Sequence, residues 1–218
     1  MYHASIRSNA ADLAYGFIKE QIVFGTLAGG EMISEGDVAT QLSMSRTPVR
    51  EAFLRLQAEG WMRLYPKRGA LIVAVTPGEI DDVLGARQLV EAHAAVVAAA
   101  DVEGRARLVE RLDECLARQE QCIFDNDVTG YAEADADFHV AIVESGGNSV
   151  LVTFYRSLRE RQRRMTARAV RLEATALITM TADHRELREL IAIGDADGFA
   201  GSLRRHMDGA HRRAMASR

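Results

Sequence analysis

Apolar and polar positions along the chain change their period near residue 76. Ala10, Leu13, Ala14, Phe17, Ile18 and Ile22 recur every three or four residues and predict an amphipathic helix that ends by Gly25. Gly29 and Gly30 loop through Met32-Ile33 to Ser34, a cap for a short helix reaching about Leu42. Ser43-Met44 then makes a tight turn, and Ser45 is placed to cap a third helix that runs to Gly60. Pro48 is tolerated there because it falls in the first turn. Val49, Ala52, Phe53 and Leu56 give that helix a buried stripe. Residues 61–65 and 70–75 read as two strands joined by Pro66-Lys67-Arg68-Gly69.

Past this point the pattern is helical only. Thr76-Pro77-Gly78-Glu79 has a threonine cap, a proline at the first helical position and a glutamate at the third, which is a capping box. Helices are predicted over 77–100, 104–126, 128–145, 147–170, 174–193 and 196–215, parted by Gly104, Asn126-Asp127, Gly146-Gly147, a weak break near Arg171, and Gly194-Asp195. The expected fold is mostly α. A winged helix-turn-helix (residues 1–75) precedes an all-helical antiparallel bundle of about six helices (residues 76–218).

Charge changes the picture only when it is divided. With 27 Lys+Arg against 31 Asp+Glu the whole chain is acidic, which taken alone argues against nucleic acid. Residues 43–69 nevertheless hold six basic side chains (Arg46, Arg50, Arg55, Arg63, Lys67, Arg68) and two acidic ones. Arg46, Thr47 and Arg50 leave the first turn of the third helix, beside its positive dipole end, as a helix reading a major groove requires. Lys67 and Arg68 make the hairpin tip basic and suited to phosphates or a minor groove. The longest purely apolar run, residues 94–100, is too short to cross a membrane, and no charged-then-apolar leader opens the sequence. Cys115 and Cys122 sit seven residues apart on one helix, roughly 10 Å by rise, too far to bond each other. A cytoplasmic protein with reduced thiols is expected.

A second constellation lies in the bundle. Asp135 and His139 are four apart and share a helix face. His184 precedes Gly194 by ten residues and His206 follows it by twelve, so a hairpin at Gly194 brings both to roughly 15–18 Å from the turn. One carboxylate and three imidazoles converging inside a bundle form a first-row transition-metal site, with Zn²⁺, Ni²⁺ or Mn²⁺ as candidates. The alternative is four separate core or surface residues. Arg87 leaves open whether its fork takes a ligand carboxylate or pairs with Glu91 one turn on. Asp137 points away from His139, His93 reads as a packing or surface residue, and Arg159, Arg161, Arg163, Arg164 and Arg168 read as a solvated or interface face.

The stretch SEGDVATQLSMSRTPVREAFLRLQAEGWMRLYPKRGA, residues 34–70, resembles the GntR family of bacterial transcription regulators. The resemblance implies DNA contacts from Arg46, Thr47, Arg50, Lys67, Arg68 and Gly69. Two positions depart from the family pattern: Gly36 stands where a DNA-contacting arginine is usual, and Ser43 where the turn is usually glycine, a change expected to matter little. Residues 77–215 resemble the helical ligand-binding domain of the FadR branch, in its shorter, VanR-type form, through Asp135-Ala-Asp-Phe-His139, Ser145-Gly-Gly-Asn148, Asp183-His184-Arg185 and Arg205-His206-Met207. That resemblance implies Asp135, His139, His184 and His206 as metal ligands and Arg87 as an effector contact. It further implies a homodimer on a palindromic double-stranded operator, repressing in response to a small carboxylate, with no membrane partner and no enzymatic activity. Two rival readings stay open: a regulator for which the metal is itself the signal, and a metalloenzyme joined to a DNA-binding domain.

Overall fold

The computed structural model describes the backbone of residues 2–172 and 175–215 and the side chains of 10–169, 175–210 and 212. They form two compact units, Met1–Val75 and Thr76–Arg218. The first contains α1 (Tyr2–Val23), β1 (Met32–Ile33), α2 (Glu35–Gln41), α3 (Arg46–Ala58), β2 (Met62–Tyr65) and β3 (Gly69–Ile72). Its three strands are antiparallel in the order β1-β3-β2, with Met32 opposite Leu71 and Leu64 opposite Ala70. This is a winged helix-turn-helix. Its core joins Ala14, Ile18 and Ile22 of α1 to the α3 stripe of Val49, Ala52, Phe53 and Leu56, all fully or almost fully buried. Each of the larger side chains contributes about 1.5–3 kcal/mol by leaving water.

Several local expectations change. Leu13 is 61% exposed and stands outside the core. The first helix begins well before Ala10, and the second strand of the hairpin stops at Ile72 rather than running to residue 75. Ser45 is the N-cap of α3 but makes no side-chain capping bond. Pro48 removes one of the two usual donors, because a cap hydroxyl bonds the N–H of the second or third helical residue and proline in third place has none to offer.

The second unit is a helical bundle of α4 (Pro77–Ala100), α5 (Val102–Asp125), α6 (Val128–Ser145), α7 (Ser149–Leu172), α8 (Ala176–Ile193) and α9 (Ala196–Met215). Residues 173 and 174, where α8 was expected to start, lie outside the described residues. Helix α6 is the axis of the bundle, burying Tyr131, Ala134, Asp135, Phe138, His139 and Ile142 against its neighbours. Its alanines let the other helices approach closely. Thr76 Oγ1 accepts from the Glu79 N–H at 3.1 Å, so half of the capping box forms, while the Glu79 carboxylate accepts instead from Arg161 at 3.3 Å.

Three helices share an N-terminal device. Asp101, Asp127 and Asp195 each accept, through a carboxylate oxygen, from the N–H of a glycine three residues on: Gly104, Gly130 and Gly198, at 3.0, 2.9 and 2.8 Å. A Cβ on any of these glycines would meet the aspartate at 2.4 Å or less, so the glycine makes room for a carboxylate folded tightly over the helix end. Gly104 is therefore inside α5 and does not separate two helices.

Among the described residues, α4 alone is long and apolar enough by composition to cross a membrane, with a mean hydropathy of 1.2 over 18 residues. The same helix buries a charged pair, Arg87 and Glu91, and packs on α6 and α9 as a core helix of the bundle.

Candidate functional site

In the first unit, Arg46, Thr47 and Arg50 are exposed on the opening turn of α3, whose apolar stripe fixes the helix from the other side. Arg46 forms no ion pair among the described residues, and Arg50 only a 4.0 Å approach to Glu35 while 72% of its side chain stays in solvent. The Arg46 guanidinium lies against Gly36, where a Cβ would come within 3.3 Å of Nη2. An arginine at position 36 would therefore compete with Arg46 for the same space. Arg55 has another task. It pairs with Asp12 at 3.1 Å and Glu59 at 3.4 Å and stacks 3.7 Å over the Tyr15 ring, tying α3 to α1.

At the wing tip, the Arg68 N–H donates to the Tyr65 carbonyl at 3.0 Å and closes a four-residue turn. Pro66 takes its second position, and Lys67 its third with φ +61°, as a type II turn requires. A side chain in that left-handed conformation costs about 1–2 kcal/mol, which sets Lys67 out at an exposed, strained tip. Lys67 and Arg68 are both exposed. Gly69 serves the wing differently, since a Cβ there would lie 2.2 Å from the Ile33 carbonyl oxygen. Its place is dictated by the close approach of β1.

In the second unit, His139 from α6, His184 from α8 and His206 from α9 converge, all buried, with one ring nitrogen of each within 4.8 Å of the others. Gly194 in the left-handed conformation, φ +74°, turns α8 back into α9 and sets the His184 and His206 rings 4.8 Å apart. Phe138 stacks on His184 at 4.6 Å. Asp135, one turn before His139, brings Oδ1 to 3.5 Å from His184 Nε2. Its Oδ2 accepts from Gln162 Nε2 at 2.9 Å and Thr166 Oγ1 at 3.1 Å. Asp135 Oδ1 and His139 Nε2 are buried and have no hydrogen-bond partner.

Each histidine has its Nδ1 held by an oxygen that sequence reasoning did not select: Glu91 Oε2 at 2.6 Å for His139, Gln119 Oε1 at 2.9 Å for His184 and Asp183 Oδ2 at 3.1 Å for His206. Holding Nδ1 fixes the ring and turns Nε2 to the shared centre, the arrangement in which imidazole binds metals. Burial pushes the His139 imidazole well below its usual value, and the Arg87 guanidinium adds to this, so the ring is in the neutral, ligating form. Glu91 carried a signal, its spacing from Arg87, although that spacing spoke only of an ion pair.

Arg87 is 4% exposed and does form that pair, donating through Nε to Glu91 Oε1 at 3.1 Å, with Tyr155 Oη at the same distance and bonded to Glu91 in turn. Its Nη2 is buried without a partner. Arg87, Asp135 and His206 together line a small enclosed cavity of about 20 Å³. Asp137 faces elsewhere, pairing with Arg118 at 2.9 Å and Arg159 at 3.0 Å. Those residues border a surface groove of about 470 Å³ in which Glu144 likewise bridges Arg111 and Arg156. His93 is exposed. Arg163, expected on a solvated or interface face, is buried within the bundle and paired with Glu133 and Glu160.

Residues 11–72 match the family described as bacterial regulatory proteins, gntR family, and residues 82–209 match the FCD domain. The chain is 35% identical over 131 residues to an HTH-type transcriptional regulator in the TAR-I ttuE-ttuC' intergenic region of Agrobacterium vitis, covering 60% of this chain and 77% of that protein. It is 28% identical over 145 residues to the gluconate operon transcriptional repressor of Bacillus licheniformis, covering 65% of this chain and 57% of that one. A GntR transcriptional regulator from Rhodococcus sp. RHA1 shares the fold with a TM-score of 0.77, at 22% identity over 97% of this chain and 99% of that one. These relatives are transcription regulators and not enzymes, which sets the metalloenzyme reading aside. With both of its units matched in this way, the chain belongs to the GntR family of bacterial DNA-binding transcription regulators, in the FadR-type branch that carries an FCD domain.

Proposed function

We propose that this regulator is a metabolite-responsive repressor whose bundle holds a divalent transition metal and, on it, a small carboxylate. Asp135, His139, His184 and His206 would be the ligands. The observation that carries the reading is the pair of partnerless buried atoms, Asp135 Oδ1 and His139 Nε2, within a cluster in which the Nδ1 of each histidine is already held. An unpaired buried carboxylate oxygen is costly, and a cation at this place removes the cost. The metal would supply open coordination positions for an anion. Zn²⁺, Ni²⁺ and Mn²⁺ all suit three imidazoles and one carboxylate. Arg87 Nη2, on the wall of the adjoining cavity, is the donor for a carboxylate oxygen.

Relatives named as repressors, the gluconate operon protein and RspR of Escherichia coli, support the sign of regulation. A homodimer reading two half-sites of a palindrome suits a winged helix-turn-helix. Leu89 and Val96, 76% and 57% exposed on α4, offer an apolar surface for the second copy. Such a protein works beside the chromosome, in the cytoplasm. Regulation requires the effector to prefer one arrangement of the protein over another. A second reading, in which the metal is the signal, draws on the small size of the cavity, and rapid exchange of bound metal would favour it.

The test is His206→Ala. Metal content should fall and the effect of ligand on operator affinity should be blunted, while affinity for bare operator stays nearly unchanged. Unaltered metal content in this variant would remove His206 from the ligand set.

A further inference from the structure

We infer that the effector is a short monocarboxylic acid with an apolar tail, as distinct from a dicarboxylate or a polyhydroxylated sugar acid. The inference rests on the proposal that a metal and Arg87 receive a carboxylate. It concerns what surrounds that carboxylate. Leu84, Met165, Ala169, Met180 and Ala210 make up the apolar wall of the cavity. Its polar lining is small and mostly committed. Asp135 and His206 belong to the metal set, and Thr166 spends its hydroxyl proton on Asp135 Oδ2. Arg87 Nη2 then remains the one partnerless donor among the described residues of the wall.

That inventory fits one carboxylate and little else. A second carboxylate would be buried with no cation to meet it, and each additional hydroxyl would lose its water without a replacement bond. An aliphatic tail meets neither cost. The present volume of about 20 Å³ is near that of a single water, so a tail must displace side chains. Met165 and Met180 are suited to yield, because an unbranched thioether has several rotatable bonds and repacks at low cost. Helix packing around them limits the tail to a few carbons.

The experiment is calorimetric titration of metal-loaded, full-length protein with acetate, propionate, butyrate, succinate and gluconate in a non-chelating buffer. Affinity should rise about fourfold per methylene from acetate to butyrate. Succinate and gluconate should bind at least about tenfold more weakly than butyrate. Met180→Gln, or Met165→Gln if the first does not fold, should remove the gain with tail length while leaving metal content within about twofold. Affinity that is flat with tail length, or gluconate or succinate binding as tightly as butyrate, would overturn the inference and leave the carboxylate site standing. Fully metallated protein that binds none of the five would overturn both.

Discussion

Residue by residue, the structure separates side chains left exposed for a partner from those that build the surface presenting them. Arg46, Arg50, Lys67 and Arg68 are exposed cations, whereas Arg55 is absorbed into the contact between α1 and α3. Gly69 is held by the close approach of the β1 backbone and by its positive φ of +102°. Ser43 belongs to the builders as well. Its φ of +52° is in the left-handed region, so the missing turn glycine matters more than its sequence context suggested. Ser43→Gly should stabilise the protein by about 1 kcal/mol, the cost of a side chain there less the added freedom of the unfolded chain. Urea unfolding measures this directly; a lower midpoint in the variant would show that the turn is not strained.

At the scale of elements, α3 and the wing are expected to divide the work of DNA recognition. A helix in a major groove reads bases and a basic hairpin tip grips phosphates, so their variants should differ in kind. Arg50→Ala should cost about 1–3 kcal/mol of operator binding and relax sequence preference. Lys67→Ala should weaken operator and unrelated DNA alike and lower the salt dependence by about one counterion. Mobility shifts at several salt concentrations distinguish the two. Operator binding that survives loss of both Arg46 and Arg50 would mean that α3 is not the reading helix.

What the sequence made legible follows the same division. The α3 stripe, the shared face of Asp135 and His139 and the α8–α9 hairpin all depend on spacing within one helix or across one turn, and spacing is visible in a sequence. Glu91, Gln119 and Asp183 were not legible as partners of the histidines, because they are brought in by packing over separations of 48, 65 and 23 residues. A two-residue strand such as β1 has no pattern to detect, and it exists because β3 offers it an edge. Gly104 was misread for a subtler reason. Glycine usually marks where a helix stops, but here it lies under the aspartate that starts one.

Over the whole molecule, the chemistry is partitioned between the two units: the cations suited to DNA precede Thr76, and the histidine cluster with its cavity follows it. The buried groups around that cluster are expensive to assemble. Three imidazoles, two carboxylates and a guanidinium are withdrawn from water, with an oxygen of Asp135 and a nitrogen of His139 left unmatched. The resident cation proposed above would offset that expense in one step. The decisive measurement is elemental analysis of protein purified without chelator and without nickel resin. About one equivalent of zinc, nickel or manganese per chain is the expected result, with loss of most of it in Asp135→Asn and His139→Ala. Less than about a tenth of an equivalent, with no uptake when these ions are added back, would contradict the account.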